Sequence, residues 1–302
     1  MNAIEIRDLS KSFRGMYALD HLNMTVPVGA IYGFIGENGS GKSTTEKLIC
    51  GHLVSDCGEI RLFGRDYTDP GVRVRVGALI ENAGCFPGSS IYQNLMMQCI
   101  NLGLENADEQ IRRVLEIVRM DEHAALKFKK CSLGMKQRVG IAMALLGNPA
   151  LLILDEPING LDTDGMRIMR EILVDITENY GCTVLISSHI LGELEKIATH
   201  YGIIREGRMI VEMSAAELES RARVFVSLKA KDTNAVASLL RAKFDSVKEE
   251  DGYLRVYDVE DSELIVGYLL ENGHAPYEVR KNKIGLEEYY VELMSRKESE
   301  ND

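Results

Sequence analysis

Apolar runs and polar turns alternate along the first two thirds of the chain. The run Ala30–Ile35 contains β-branched and aromatic residues and stops at Gly36, which predicts a buried strand followed by a turn. Leu151–Leu154 and Thr183–Ser187 have the same character. Continuous apolar runs are typical of parallel strands that are covered on both faces. We expect these three strands at the centre of one sheet.

Helical patterns separate the strands. The clearest is Ile111–Met120, where apolar residues at positions 111, 114, 115, 117 and 118 form one stripe. Further helices are predicted at Ser43–Cys50, Met135–Leu146, Met166–Asn179 and Ile190–Ala198. Alternating strands and helices predict an α/β domain with a largely parallel sheet, ending near residues 212–222.

The pattern changes after this boundary. Strand, helix, strand, helix and strand are predicted in turn at Val224–Leu228, Ala235–Arg241, Tyr253–Val259, Leu264–Glu271 and Ala275–Arg280. This order predicts a small α+β domain over residues 222–302. No motif in it predicts a chemical site.

The composition is that of an ordinary globular protein, with 45% apolar and 27% charged residues among 302. No apolar run approaches the roughly 18–20 residues that span a bilayer. The first residues also lack the apolar core of a signal peptide. We therefore expect the protein to remain where it is made and to need a separate spanning partner if it acts at a membrane.

The net charge of −11 weighs against nucleic acid as a partner. Acidic residues outnumber basic ones both before and after residue 215, and neither part has the basic patch that neutralises a phosphate backbone. The six cysteines form no C-x-x-C pair, so we expect reduced thiols and no metal cluster.

One segment has the pattern of a phosphate-binding loop. Residues 36–43 read GENGSGKS and fit G-x-x-x-x-G-K-[ST] between a predicted strand and a predicted helix. Glycines let backbone N–H groups face phosphate oxygens, and the helix N-terminus favours an anion. A plain glycine turn is the alternative, which the flanking elements disfavour. The predicted nucleotide-binding residues are Gly36, Asn38, Gly39, Ser40, Gly41, Lys42, Ser43 and Thr44.

An acidic pair follows the second apolar run. Asp155 can hold Mg²⁺ together with the Ser43 hydroxyl, and Glu156 can orient or deprotonate an attacking water. Alone, the pair could be a strand end with a solvated turn. A phosphate-binding loop in the same chain favours a role in ATP hydrolysis.

Three further segments resemble motifs of the ABC ATPases over residues 1–215. Ser132–Arg138 resembles the signature motif, Pro157–Asp162 resembles the D-loop, and His189 resembles the switch histidine. The resemblance implies a P-loop NTPase cassette with a helical subdomain at about 82–148, with ATP and Mg²⁺ bound. It also implies that Glu156 and His189 are catalytic and that Asp162 is the aspartate of the D-loop.

The resemblance implies partners as well. The signature residues contact ATP on a second subunit, either another copy or a homologous ATPase. They are Ser132, Leu133, Gly134 and Met135. A membrane permease is the other implied partner, which places the protein in the cytoplasm against the inner face of the membrane. Leu133 and Met135 depart from the commonest Gly and Gln, but Ser132 and Gly134 are kept.

Two more roles depend on the resemblance. Phe13 occupies the place of the aromatic that stacks on adenine, although Tyr17 is a rival and a packed core Phe is the alternative. Glu81 stands where the Q-loop usually has Gln, so it could reach Mg²⁺ or the attacking water. The alternative is that Glu81 is an ordinary loop charge.

The segments Leu79–Pro87 and Tyr92–Leu95 resemble the bacitracin-resistance and lantibiotic-immunity exporter ATPases. That resemblance implies export of an antimicrobial peptide or a similar amphiphile. A non-transport ABC ATPase acting on the ribosome or on nucleic acid is the second hypothesis. A P-loop kinase or GTPase would leave the signature and His189 unexplained.

Overall fold

The computed structural model describes residues 1–221, 224–250, 252–259, 261–283 and 285–298. The first two and the last four residues of the predicted 222–302 domain lie outside these ranges, as do residues 251, 260 and 284. Contacts within the chain divide it into two compact units, Met1–Ala215 and Ala216–Asp302.

The first unit alternates strands and helices. Its strands are β1 (Asn2–Phe13), β2 (Met16–Pro27), β3 (Ile31–Ile35), β4 (Cys57–Leu62), β5 (Arg65–Asp66), β6 (Val76–Leu79), β7 (Leu151–Asp155), β8 (Thr183–Ser188), β9 (His200–Arg205) and β10 (Arg208–Ser214). Its helices are α1 (Lys42–Ile49), α2 (Pro70–Arg73), α3 (Ile91–Leu102), α4 (Ala107–Ile117), α5 (Leu133–Leu145), α6 (Thr163–Glu178) and α7 (Leu191–Leu194). The helix α8 (Ala215–Arg221) leads into the second unit.

A six-stranded sheet forms the centre of the first unit, in the order β10-β9-β3-β8-β7-β6. All its neighbouring strands are parallel except β9 and β10. The three predicted central strands are β3, β7 and β8, and each is buried along nearly its whole length. Because they are parallel, their carboxyl ends lie at one edge of the sheet, where ligands bind in α/β proteins.

A second sheet is antiparallel, in the order β2-β1-β4-β5. Its inner face shares one apolar cluster with the central sheet, so that Leu9 and Leu22 belong to the same core as Phe34 and Leu151. The buried Tyr32 hydroxyl donates to Glu212 Oε1 at 2.7 Å. The same carboxylate oxygen accepts from the backbone N–H of Thr25 at 2.7 Å, which ties β2 to β3 and β10.

Some elements differ from the prediction. The strands β4, β6, β9 and β10 and the helix α3 were not predicted. The predicted helix Ile190–Ala198 is helical only over Leu191–Leu194. Leu191, Leu194 and Ala198 are all buried. The apolar spacing that predicted a longer helix therefore arises from one helical turn and from the loop after it, which both pack against the core. The helices α3, α4 and α5 lie between β6 and β7, within the region expected to be helical.

The second unit contains β11 (Val224–Ala230), α9 (Thr233–Lys243), β12 (Val247–Glu250), β13 (Tyr253–Tyr257), α10 (Ser262–Glu271), β14 (Pro276–Lys283) and α11 (Leu286–Glu298). Its sheet is antiparallel in the order β12-β13-β11-β14, and the element order is that of a split βαβ fold. Leu240 of α9 and Ile265 of α10 pack with Val226 on one face. Tyr289 of α11 packs on Phe225 and Tyr257, which face the other way.

Within the described ranges, no helix combines the length and the apolar character needed to cross a membrane.

Candidate nucleotide-binding site

The predicted phosphate-binding loop joins β3 to α1 at the carboxyl edge of the central sheet. Lys42 is only 6% exposed, and its ammonium group points into the loop. Its Nζ donates to the carbonyl oxygens of Gly36 at 2.6 Å and Glu37 at 3.0 Å. The loop therefore holds a positive charge at its centre, where a phosphate group would lie.

Two glycines in the loop have no room for a side chain. A Cβ at Gly41 would lie 2.7 Å from the carbonyl oxygen of Ala18, and its φ of 112° is open mainly to glycine. A Cβ at Gly36 would lie 2.5 Å from the carbonyl oxygen of Ile204. These contacts explain why the loop needs glycine at both positions.

The Ser40 hydroxyl is the strongest sign that the loop binds an anion. Ser40 is buried, and its Oγ has no hydrogen-bond partner in the described part of the chain. A buried hydroxyl without a partner costs free energy unless a ligand supplies one. A phosphate oxygen would supply it, so the loop fits ATP.

Two hydroxyl groups position the carboxylate at the end of β7. Asp155 ends β7 and accepts hydrogen bonds from Ser43 Oγ at 3.2 Å and from Ser187 Oγ at 2.9 Å. Carboxylate and hydroxyl oxygens are the ligands that Mg²⁺ prefers. Ser43 and Asp155 therefore form a donor set that fits Mg²⁺ beside the phosphate-binding loop.

Glu156 follows in a left-handed backbone conformation, with φ of 49°. Its backbone N–H is shared between the carbonyl oxygen and the hydroxyl of Ser187, both at 3.2 Å. Its Oε2 accepts from His189 Nδ1 at 2.8 Å. The tight turn directs the carboxylate away from the core, and His189 restricts its orientation.

The signature and D-loop residues lie together at a second place. Ser132 caps α5, and its Oγ accepts from the backbone N–H of Met135 at 3.3 Å. Asp162 caps α6, and its Oδ1 accepts from the backbone N–H of Gly165 at 2.8 Å. A surface cavity of about 390 Å³ is lined by residues 132–135 and 160–162, among others. The N-termini of two helices thus open into one cavity.

The aromatic rings proposed for adenine lie near the tip of the β1–β2 hairpin. Phe13 is 44% exposed, and the Lys11 ammonium lies 5.5 Å from its ring centroid. Tyr17 on β2 is 66% exposed. Both rings are accessible, so stacking by Phe13 remains a prediction and Tyr17 remains its rival.

Glu81 is paired with a residue that the sequence analysis did not connect to it. Its Oε1 accepts from Lys47 Nζ at 2.6 Å, and this contact lowers the pKa of the Glu81 carboxyl. Lys47 lies on α1, directly after the phosphate-binding loop. The extra negative charge of Glu81 is therefore balanced by the Lys47 ammonium. The role of Glu81 toward Mg²⁺ remains a prediction.

We expect Glu81→Gln to keep ATP hydrolysis within about tenfold of the wild type. Glutamine keeps an oxygen that can accept a hydrogen bond, and exposed ion pairs contribute little to stability. Steady-state phosphate release measures the effect. Lys47→Met is the matched control, because it removes the same ion pair from the other side. Complete loss in Glu81→Gln alone would show that the carboxylate itself is essential.

Two residues of the site were missed by the sequence analysis. Ser187 links Asp155 to Glu156, and its place at the end of a predicted strand, two residues before His189, could have indicated it. Glu46 lies fully buried on α1 near these groups. The sequence of α1 does not indicate that Glu46 is buried, because a glutamate in a helix usually lies on the solvent-facing side.

Comparison with known proteins agrees with this site. The ABC transporter family profile matches residues 19–159. The chain is 36% identical to the bacitracin transport ATP-binding protein BcrA of Bacillus licheniformis, over 96% of this chain and 97% of that protein. It is 39% identical to the lantibiotic transport ATP-binding protein SrtF of Streptococcus pyogenes, over 69% of this chain and 90% of that protein.

A solved structure shows the same fold. The structure of cbiO1 from Clostridium perfringens, part of the ABC transporter complex cbiONQ, superposes with a TM-score of 0.66 at 24% identity. The match covers 80% of this chain and 96% of that chain. The predicted fold class, a P-loop ABC cassette of the α/β type, is confirmed. With a relative 36% identical over nearly its whole length, the chain belongs to the family of ABC transporter ATP-binding proteins.

Proposed function

We propose that this protein binds and hydrolyses ATP at the carboxyl edge of its central sheet and thereby drives a separate membrane exporter. The observation that carries the proposal is the convergence of three groups at that edge. Lys42 lies in the phosphate-binding loop, Asp155 lies beside Ser43, and Glu156 is held by His189.

Each residue has a part in the reaction. Lys42 and the Ser40 hydroxyl bind phosphate oxygens, and Phe13 stacks on the adenine. Ser43 and Asp155 would hold Mg²⁺, which withdraws negative charge from the phosphate oxygens when it is bound. Glu156 orients the attacking water and accepts its proton, while His189 keeps the carboxylate in place.

We propose that two cassettes share each ATP. Ser132 caps α5, and Gly134 and Met135 lie in its first turn, where backbone N–H groups and the helix dipole favour an anion. Leu133 is 50% exposed on the same turn, which suits a contact with a second subunit. The γ-phosphate on one subunit would then meet the signature of the other, and its removal would let the dimer open.

The names of the relatives support transport as the task. The two curated relatives are ATP-binding proteins for bacitracin and lantibiotic transport. We propose an antimicrobial peptide or similar amphiphile as cargo, a membrane permease as partner, and a place in the cytoplasm on the inner face of the membrane. A cavity of about 630 Å³, lined by residues of β6, α3 and α5, offers a place where the permease could dock.

Affinity purification from detergent-solubilised native membranes tests the transport assignment. We expect a protein with several membrane spans to co-purify in stoichiometric amount. Recovery only from the soluble fraction, alone or with ribosomes or nucleic acid, would contradict the exporter and favour the non-transport alternative. The ATPase assignment would survive that outcome.

A further inference from the structure

The segment that carries His189 leaves the central sheet and then returns to it. It follows β8 directly, contains the single turn of α7, and rejoins the sheet at β9. One of the hydrogen bonds that shape the turn runs within it, from the backbone N–H of Glu195 to the carbonyl oxygen of Leu191 at 2.9 Å. A local bond of this kind shapes the segment but does not determine where the segment lies on the rest of the unit.

A charged contact joins this segment to α6. Nη1 of Arg170, on α6, donates to Oε2 of Glu193, and Oε1 of Glu193 accepts from Lys196 Nζ at 2.6 Å. The side chains of Arg170 and Glu193 are only 22% and 13% exposed. Ion pairs that are shielded from water are screened less than pairs on the open surface. The contact can therefore hold the turn of α7 against α6.

The two elements joined by this contact differ in their own stability. The helix α6 is 16 residues long, whereas α7 has four residues, fewer than a helix needs to be stable by itself. Arg170 lies on the part of α6 that packs against the core, whose buried side chains are Met169, Ile172, Leu173 and Ile176. Arg170 thus belongs to the firm element, and Glu193 belongs to the one that needs support.

The position of the turn determines where His189 lies. Glu193 follows His189 by four positions, across the turn of α7. His189 Nδ1 lies 2.8 Å from Glu156 Oε2. The His189 side chain is itself 48% exposed, so packing restrains the ring on one side only. Its place against Glu156 therefore depends on the backbone that carries it.

We propose that Arg170 and Glu193 are positioning residues for ATP hydrolysis, because their ion pair holds the turn after His189 where the imidazole meets the Glu156 carboxylate. Both residues act through the backbone of the turn. A displacement of about 1 Å in a reacting group can cost about a hundredfold in rate, so a contact outside the site can control the reaction. The inference rests on the proposed function, in which Glu156 is the base and His189 keeps it in place.

Two substitutions remove the ion pair from its two sides. Arg170→Met keeps most of the side-chain length without the charge, and Glu193→Gln keeps the shape of the carboxylate. Arg167→Met is the matched control, because Arg167 lies on the same helix and pairs with Glu171 of that helix at 2.8 Å. Each change is made in the full-length wild-type chain and in the His189→Ala chain. Hydrolysis of radiolabelled ATP measures kcat and KM, including the low rates of the His189→Ala proteins.

We expect Arg170→Met and Glu193→Gln to lower kcat about tenfold and to leave the KM for ATP within about twofold. The phosphate-binding loop is untouched, so nucleotide binding should not change. In the His189→Ala chain the same substitutions should change kcat by less than about twofold, because the side chain that they position is absent. Arg170→Lys should keep kcat within about threefold, since an ammonium group can donate to the same carboxylate. Arg167→Met should match the wild type.

Other results would overturn the inference. If Arg170→Met lowers kcat by the same factor with and without His189, the ion pair does not act through that histidine. If both pair variants keep the wild-type kcat, the contact has no part in hydrolysis. Glu193→Gln decides the matter if Arg170→Met does not fold. A wild-type chain that does not hydrolyse ATP, or a His189→Ala chain that is fully active, would overturn the proposed function and this inference with it.

Discussion

Replacing Glu156 with glutamine should slow ATP hydrolysis by about 10²–10⁴-fold while ATP still binds. The amide keeps the shape of the carboxylate but cannot accept a proton from water. The phosphate-binding loop and Asp155 are untouched, so ATP and its cation should bind as before. Because hydrolysis is the step that would separate two subunits, the variant should accumulate as an ATP-bound dimer.

Phosphate release and light scattering after size exclusion, both in excess ATP with Mg²⁺, measure these two effects. Glu178→Gln is the matched control, since Glu178 lies exposed at the end of α6. That variant should turn over ATP like the wild type and should not accumulate as a dimer. A Glu156→Gln protein that stays monomeric would contradict sharing of ATP between two copies of the isolated chain.

The second large effect is expected for Lys42→Met, which should weaken ATP binding about 100-fold. Lys42 is the buried cation in the loop, and a hydrogen bond from a charged donor contributes about 1.5–3 kcal/mol. Loss of about 2.7 kcal/mol corresponds to a hundredfold change in the dissociation constant. Methionine keeps most of the apolar side chain of lysine, so the substitution mainly removes the positive charge.

Isothermal titration with ATP measures this affinity, and Lys47→Met supplies the comparison. Lys47 lies on the same helix five residues later, is more exposed, and pairs with Glu81. Its loss should leave the affinity within about twofold, since exposed ion pairs contribute little. Equal losses in both variants would mean that the positive charge of α1 as a whole, and not the ammonium in the loop, binds the nucleotide.

The part of the site that depends on local sequence could be predicted. The loop at 36–43 contains its own glycines, lysine and serine, so its pattern is complete within one segment. Leu151–Leu154 and Thr183–Ser187 are fully apolar or nearly so, and both are central strands of the sheet. Parallel pairing then places their carboxyl ends, and hence Asp155 and His189, at the same edge as the loop.

Contacts between distant segments could not be predicted in this way. Lys47 and Glu81 are 34 positions apart, and nothing in either segment indicates the other. The burial of Glu46 depends on how α1 lies against the sheet, and a single sequence does not specify that. The strand β9 was missed because its buried run Tyr201–Ile204 is short and contains a glycine, and β10 was missed because Glu212 interrupts its apolar positions.

The order of strands in the central sheet has a consequence for synthesis of the chain. β3 pairs with β8 on one side and with β9 on the other, and these strands lie about 150 and about 170 residues later in the sequence. While the ribosome is still making residues 36–182, the apolar strand that ends at the phosphate-binding loop has neither neighbour in the sheet. Such a strand is open to aggregation until its neighbours emerge. Nascent chains that stop before residue 205 should therefore depend on chaperones and should fail to be retained on immobilised ATP.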